Sequence, residues 1–286
     1  MIIYLDGRYL PIEEATVSVN DRAFLFADAV YEAVPLYRGI MFLPGRHLER
    51  LAGGLAELRI DLDPDGLRAV CDGLVTRNDL AREEFAVFYA QVTRGAAPRS
   101  HAFPKMPVKP TVYAFASPLV RPAPEVWEKG FSAITLPDQR WARADIKSTA
   151  LLPNVLAQQT AVEAGVTDAA FVRDGTVTEG THNNVFAVIG GVLVTARADH
   201  RILHGVTRGF VIELSHELGI PVEERDVSIE EFRRAEEIFF TGTTTEIRPT
   251  VVLDGTAVGD GTPGPVTRRI ADAYRRAVDR AAGIAS

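Results

Sequence analysis

"RADIKSTALL", residues 143–152, sets Lys147 between Ile146 and an apolar run. The chain has 31 Lys plus Arg, but only four are lysines. The other three, Lys105, Lys109 and Lys129, stand beside Pro or Gly in stretches that read as loops. Elsewhere arginine carries the positive charge, staying protonated and offering a planar fork. A lysine amine can instead be desolvated, give up its proton and act as a nucleophile or base. The plain alternative is a strand-end lysine whose ammonium reaches water. What surrounds position 147 decides between them.

Outward from that segment, four two-residue turn signals lie between β-rich flanks: "IIYLDGRYL" (2–10), "AAFVRDGTVTE" (169–179), "VFAVIGGVLVT" (185–195) and "VVLDGTAV" (251–258). Asp-Gly and Gly-Gly supply the positive φ angles of primed turns, so these predict β-hairpins. A further strand pair is expected at 85–95 and 111–119. Apolar residues at helical spacing predict helices over 44–58, 63–77, 153–165, 207–219 and 265–283. The Pro-punctuated "SPLVRPAPEVWEKG" (117–130) reads as a junction. Residues 119–124 are taken as a linker between an N-terminal domain (1–118) and a C-terminal domain (125–286). The expected class is α+β with predominantly antiparallel sheet.

A chain of 286 residues with 47% hydrophobic and 24% charged residues has enough apolar content for a substantial core. A formal net charge of −7 with no basic stripe argues against nucleic acid as a partner. The single cysteine, Cys71, has no internal disulfide partner and fits a small core residue. The opening "MIIYLDGRYLP" lacks a signal-peptide pattern, and no uncharged apolar run reaches membrane-spanning length. A cytoplasmic protein is the simplest expectation.

Two motifs mislead. "GDGTPG" (259–264) matches G-x-G-x-x-G and precedes a helix, but it follows a hairpin and leaves no room for a second parallel strand. His200 and His204 are four apart, but no Glu lies between them and Gly205 follows at once, so no metal site is expected.

Other groups point to an anion and a ring nitrogen. In "LHGVTRGFVIELSHEL" (203–218), Thr207 is an N-cap candidate opening an amphipathic helix, and Gly205 allows close backbone approach. In "FFTGTTTEIRP" (239–249), an apolar strand runs into Gly242 and three threonines, a possible anion nest. Arg50, in "RHLERL" (46–51), could send a fork to the same anion. Glu179, in "GTVTEGTHNNVF", would need a cationic partner if buried, and a protonated pyridine nitrogen is one. Alternatively these are a capped helix, a polar turn, a surface arginine and a strand-end charge. Together, an amine, a carboxylate for a ring nitrogen and two donor loops for one phosphate are what pyridoxal 5'-phosphate (PLP) requires.

At this point the chain resembles the fold-type IV PLP-dependent transaminases, and within them the D-amino-acid transaminases. The resemblance runs over nearly the whole length. It is carried by "GRYLP" (7–11), "VSVNDRAFLFADAVYE" (17–32), "RHLERL" (46–51), "QVTRGAAPRSHAFP" (91–104) and "RWARADIKSTALLPNVLAQQ" (140–159). It continues through "VTEGTHNNVF" (177–186), "ILHGVTRGFVIEL" (202–214) and "TGTTTEIRP" (241–249). The resemblance implies a smaller N-terminal α/β sandwich-like domain and a larger C-terminal pseudo-barrel domain. It implies that Lys147 forms the Schiff base and shuttles the proton, and that Glu179 keeps the pyridine nitrogen protonated. Arg50, Val206, Thr207 and Thr243 would hold the phosphate, and Leu203 would pack against the ring. Tyr31, Arg99 and His101 would trap the substrate α-carboxylate, with Arg99 and His101 reaching the neighbouring subunit of a homodimer.

The implied reaction is ping-pong transamination between D-amino acids, such as D-alanine or D-glutamate, and 2-oxo acids, such as pyruvate or 2-oxoglutarate. Alternatives sharing the fold are a branched-chain L-amino-acid transaminase, an (R)-amine transaminase and an aminodeoxychorismate lyase. "PRSH" (98–101) is the feature that favours D-amino acids. A non-catalytic PLP carrier would not need Lys147 and Glu179 together. The chain departs from the D-specific pattern at Thr181, His182, Asn183 and Asn184, at Gly242, at His204 and at Arg248. Arg248 could be a surface residue at a strand end, pair with Glu246 or line the side-chain pocket; these departures bear on substrate range.

Overall fold

The computed structural model describes residues 1–284. By their internal contacts the residues fall into two compact units, Met1–Val120 with Ile146–Ala150, and Arg121–Asp145 with the chain from Leu151 onward.

The first unit is built on a six-stranded antiparallel sheet. Its strands are β1 (Ile2–Leu5), β2 (Arg8–Pro11), β3 (Ala29–Tyr37), β4 (Ile40–Met41), β5 (Ala86–Thr93) and β6 (Val112–Pro118), in the order β2-β1-β6-β5-β3-β4. Its main helices are α1 (Arg22–Phe26), α2 (Pro44–Leu58) and α3 (Leu67–Arg77). Strand alternation explains the core. Val30, Val34 and Leu36 of β3, Phe88, Ala90 and Val92 of β5, and Ala114 and Ala116 of β6 pack with Leu48, Leu51 and Leu55 of α2 and Val70, Cys71 and Leu74 of α3. Small alanines on the central strands let the two helices lie close. Residues of opposite parity are aromatic: Tyr31 stacks on Tyr89 at 5.4 Å, and Tyr89 on Phe115 at 5.1 Å.

The segment Ile146–Ala150 falls with this unit although residues 125–286 were expected to form one domain. The reason is hydrogen bonding along β3. The Tyr31 N–H donates to the Lys147 carbonyl at 3.0 Å and the Thr149 N–H to the Ala29 carbonyl at 3.1 Å, with a bridge between Val30 and Ser148. Ile146 packs against the apolar core.

The second unit holds α4 (Pro124–Lys129), β7 (Phe131–Pro137), α5 (Leu152–Glu163), β8 (Asp168–Arg173), β9 (Thr176–Gly180), β10 (Asn184–Ile189) and β11 (Val192–Thr195). It continues with α6 (Val206–Glu217), β12 (Val222–Glu224), β13 (Val227–Ser228), α7 (Ile229–Arg233), β14 (Glu237–Gly242), β15 (Glu246–Leu253), β16 (Thr256–Ala257) and α8 (Pro265–Ala281). The strand order is β12-β11-β10-β14-β15-β7-β8-β9-β13, with β16 on β15. Most neighbours are antiparallel, but β7 pairs parallel with β8 and β15, and β11 with β12. The first and third of these need long crossovers, which α5 and α6 supply. The sheet curls. Ala133, Ala170, Val177, Val185, Phe240 and Leu253, from six strands, share one apolar cluster, and the Gly180 N–H reaches the Asn183 carbonyl at 2.8 Å. This is the curled half-barrel that the resemblance implies.

All four expected hairpins form, and each has two consecutive left-handed residues: Asp6-Gly7, Asp174-Gly175, Gly190-Gly191 and Asp254-Gly255. The expected junction differs from the simple linker, because Pro at the first turn and Gly130 at the end frame helix α4 inside it. The predicted helix at 63–77 begins as a 3₁₀ turn, Pro64–Gly66, before α3. "GDGTPG" is a loop ending at Gly264, the N-cap of α8. The carboxylate of Glu237 accepts the Val266 and Thr267 N–H groups there at 3.0 and 2.7 Å, so this helix start already holds the protein's own anion.

Candidate active site

In the first unit, the Lys147 backbone is fixed on the edge of β3 and its Nζ lies 4.2 Å from the centre of the Tyr31 ring. The next residue of β3, Glu32, faces the opposite way and is fully buried. It accepts Arg50 Nε and Nη2 at 2.9 and 2.7 Å and the Ala33 N–H at 2.8 Å, and it pairs with His47 Nδ1 at 3.1 Å. Burial alone would raise the Glu32 carboxyl, but the Arg50 charge and the His47 hydrogen bond outweigh it and hold it well below the usual carboxylate range. Burial pushes the His47 imidazole down, against the opposing pull of Glu32. Arg50, the expected phosphate fork, is thus oriented by Glu32. Neither Glu32 nor His47 was singled out by sequence reasoning, although His47 and Arg50 are three apart on one face of α2.

Arg99 and His101 lie in the loop after β5, both exposed. The Arg99 guanidinium carbon is 5.1 Å from the centre of the Phe26 ring, and the His101 ring is centred 5.4 Å from it.

In the second unit, Glu179 lies near the end of β9 and is only 4% exposed. Its carboxylate accepts the Asn184 side chain at 2.9 Å and the Leu203 N–H at 3.0 Å, and it pairs with Arg140. Arg140 is held in turn by Asp138 at 2.9 Å. Burial pushes the Glu179 carboxyl up, the Arg140 guanidinium and the Leu203 N–H pull it down, Asp138 adds to the rise, and it comes to about 7. Leu203 therefore positions Glu179 through its backbone. Arg140 and Asn184 are also functional neighbours that the sequence reading did not assign a role.

Helix α6 begins one residue earlier than expected. Gly205 is its N-cap and no side chain caps it, so Thr207 is the second helical residue rather than the cap. A Cβ on Gly205 would run into Asn184 Oδ1, which explains the glycine by close approach, not by a left-handed backbone. Val206 and Thr207 are buried at this helix start, where backbone N–H groups favour an anion. Thr243 lies in the turn between β14 and β15. Thr241, opposite Asn184 across the β10–β14 pair, has a buried hydroxyl with no hydrogen-bond partner among the described residues.

Arg248 does not pair with Glu246. It donates to Asp168 at 3.1 Å, while Glu246 takes Arg121 at 2.7 Å. The reason is register: Arg248 stands opposite Phe240, on the face that packs inside the curled sheet with β8. Asp168 also accepts the Asn183 side chain at 2.7 Å. His182 contacts the Thr181 hydroxyl at 2.9 Å, and His204 faces the Asp199 carbonyl at 3.3 Å.

With this geometry in view, the comparisons with known proteins are decisive on family. The profile of the amino-transferase class IV family matches residues 29–252. D-alanine aminotransferase of Bacillus licheniformis is 39% identical over 280 residues, 97% of each chain. That of Staphylococcus haemolyticus is 37% identical over 279 residues, 97% of this chain and 98% of the relative. Among solved structures, the branched-chain amino acid aminotransferase of Escherichia coli superposes with a TM-score of 0.87 at 28% identity, covering 96% of this chain and 93% of the other. A second branched-chain amino acid aminotransferase, from T.th. and solved with pyridoxamine 5'-phosphate, gives 0.86 at 26% identity, covering 99% and 95%. The chain belongs to the class IV aminotransferase family. It is an aminotransferase of fold type IV.

The residues present fit PLP. Lys147 offers an amine, Glu179 a buried carboxylate whose raised pKa a cationic ring nitrogen would lower, and α6 an uncapped N-terminus for a phosphate. No helix among the described residues is long and apolar enough to cross a membrane.

Proposed function

We propose that this chain is a PLP-dependent aminotransferase that moves the amine of D-amino acids, such as D-alanine or D-glutamate, to 2-oxo acids. The observation that carries the substrate class is the near full-length similarity to two D-alanine aminotransferases, higher than to the branched-chain enzymes. The "PRSH" segment supports the same choice.

When bound, PLP supplies an aldehyde that exchanges with amines and a ring that takes up the electron pair left on Cα. Lys147 would hold the cofactor through Nζ and would move the proton at Cα. Glu179 would keep the ring-nitrogen proton in place. Arg50, the Val206 N–H, Thr207 and Thr243 would hold the phosphate, and Leu203 would pack on the ring. Tyr31, Arg99 and His101 bind the α-carboxylate, and that bond fixes which face of Cα meets the amine. A cytoplasmic homodimer, with Arg99 and His101 given to the neighbouring subunit, belongs to the same proposal.

A half-reaction followed by absorbance tests it. PLP-loaded protein is mixed separately with D-alanine, D-glutamate, L-leucine and (R)-phenylethylamine. Conversion by a D-amino acid alone is expected. Conversion by L-leucine or the amine, with D-amino acids inert, would sink the D-specific reading and leave the family assignment standing.

A further inference from the structure

Arg99 and His101 are exposed side chains on a loop, and neither side chain has a hydrogen bond or ion pair among the described residues. What they share is Phe26. Its ring takes the Arg99 guanidinium at 5.1 Å, the His101 imidazole at 5.4 Å and the Arg22 guanidinium at 4.9 Å. We infer that Phe26 is a positioning residue: its ring is the platform that holds Arg99 and His101 together for an α-carboxylate, and the Arg22–Asp28–Arg94 triad fixes the loop that carries them. The inference rests on the carboxylate role given to Arg99 and His101 in the proposed function.

The platform is rigid for identifiable reasons. Phe26 ends α1, whose N-cap Asp21 accepts the Ala23 N–H at 2.8 Å. The other Asp21 oxygen accepts the Thr93 and Thr111 hydroxyls at 2.9 and 2.8 Å, pinning the helix to β5 and to the segment entering β6. Arg22 donates to the Ser100 carbonyl at 2.6 Å, between the two trap residues, and weakly to Ala102. Asp28 accepts Arg22 Nε at 2.7 Å and Arg94 at 2.8 and 3.0 Å, and Arg94 lies 3.6 Å from the centre of the Phe103 ring. The loop is therefore clamped on both sides of His101, while the Arg99 and His101 side chains keep their donors open. A cation over an aromatic face retains its hydrogen-bonding edge, so the ring orients the fork without consuming it.

A carboxylate is common to the amino donor and the 2-oxo acceptor, which gives the test its signature. Phe26→Leu keeps an apolar side chain but removes the π-face. In the PLP-loaded enzyme its KM for D-alanine and for 2-oxoglutarate should rise in parallel by about tenfold, the scale of a lost cation–π contact and lost preorganisation. Its kcat should stay within about twofold, because binding rather than chemistry is weakened. Propionate, a bare carboxylate, should lose affinity by the same factor, and Phe26→Tyr should behave as wild type. Arg99→Ala is the control. If it raises both KM values and Phe26→Leu does not, the platform is wrong while the substrate reading stands. If Arg99→Ala leaves both KM values unchanged, the carboxylate reading itself falls, and this inference with it. Should Phe26→Leu not fold, Asp28→Asn, which loosens the loop but leaves the ring, must give the same parallel rise; separate movement of the two KM values would overturn the inference.

Discussion

Glu32 carries a charge with almost no access to water, paired with Arg50 and His47 and capped by the Ala33 N–H. Its carboxyl titrates far below the ordinary glutamate value of about 4.3, so as pH falls the unfolded chain takes up this proton first. The stabilisation is therefore fully present above about pH 5 and is lost as pH falls below it. Replacing Glu32 by Gln should cost about 3 kcal/mol at neutral pH, the scale of a broken buried pair. It should also flatten the acid limb of the stability curve, read by denaturant titration at several pH values. An unchanged acid limb would contradict the burial argument. Lys147→Ala should abolish transamination while leaving the fold intact, checked by half-reaction absorbance beside far-UV circular dichroism. Lys147 and Glu179 could be named as candidates from the sequence because few residue types offer a deprotonatable amine or a carboxylate for a ring nitrogen. Glu32, Arg140 and Asp168 could not, because a charged residue at the surface and one buried against a partner look alike until the sheet is assembled. The pairing of Arg248 with Glu246 failed for a related reason: its actual partner, Asp168, is 80 residues away in sequence.

At the scale of elements, local signals served well wherever the cause was local. Asp-Gly and Gly-Gly turns and 3.6-residue periodicity depend on neighbours within a few positions, and the four hairpins and five long helices follow them. The five-residue α1 escaped because so short a segment shows no periodicity. Its end is unusual in carrying Ala27 in the left-handed region, at φ 55° and ψ 30°. A Cβ there costs about 1 kcal/mol, so Ala27→Gly should be neutral to stabilising by up to about 1 kcal/mol once the greater freedom of unfolded glycine is subtracted. A clear loss of stability in a thermal melt would contradict this. At the start of α8, Glu237→Ala removes the acceptor for the Val266 and Thr267 N–H groups and the Thr267 hydroxyl. It should cost about 1–2 kcal/mol, the upper range for a lost cap, seen as a lower denaturant midpoint with the slope unchanged.

For the whole molecule, the curled sheet was the least legible feature from residues alone. Its closure depends on pairing between strands far apart in sequence, such as β7 with β15, and periodicity does not encode partners. The proposed exchange of Arg99 between subunits has a test at this scale. Lys147→Ala and Arg99→Ala chains should each be inactive or strongly impaired. Mixed under conditions that exchange subunits, they should regain up to about a quarter of wild-type activity, since a two-fold dimer of the two would contain one complete site. No regain would mean that each chain uses its own Arg99. The excursion of Ile146–Ala150 back to β3 has a bearing on how the gene can be divided. A break between residues 120 and 121 would sever the first unit from the five-residue strip that carries Lys147, so split versions and domain-by-domain expression libraries should place no boundary there. A circular permutant that opens at an exposed hairpin tip, such as Gly190-Gly191, would keep the strip joined on both sides.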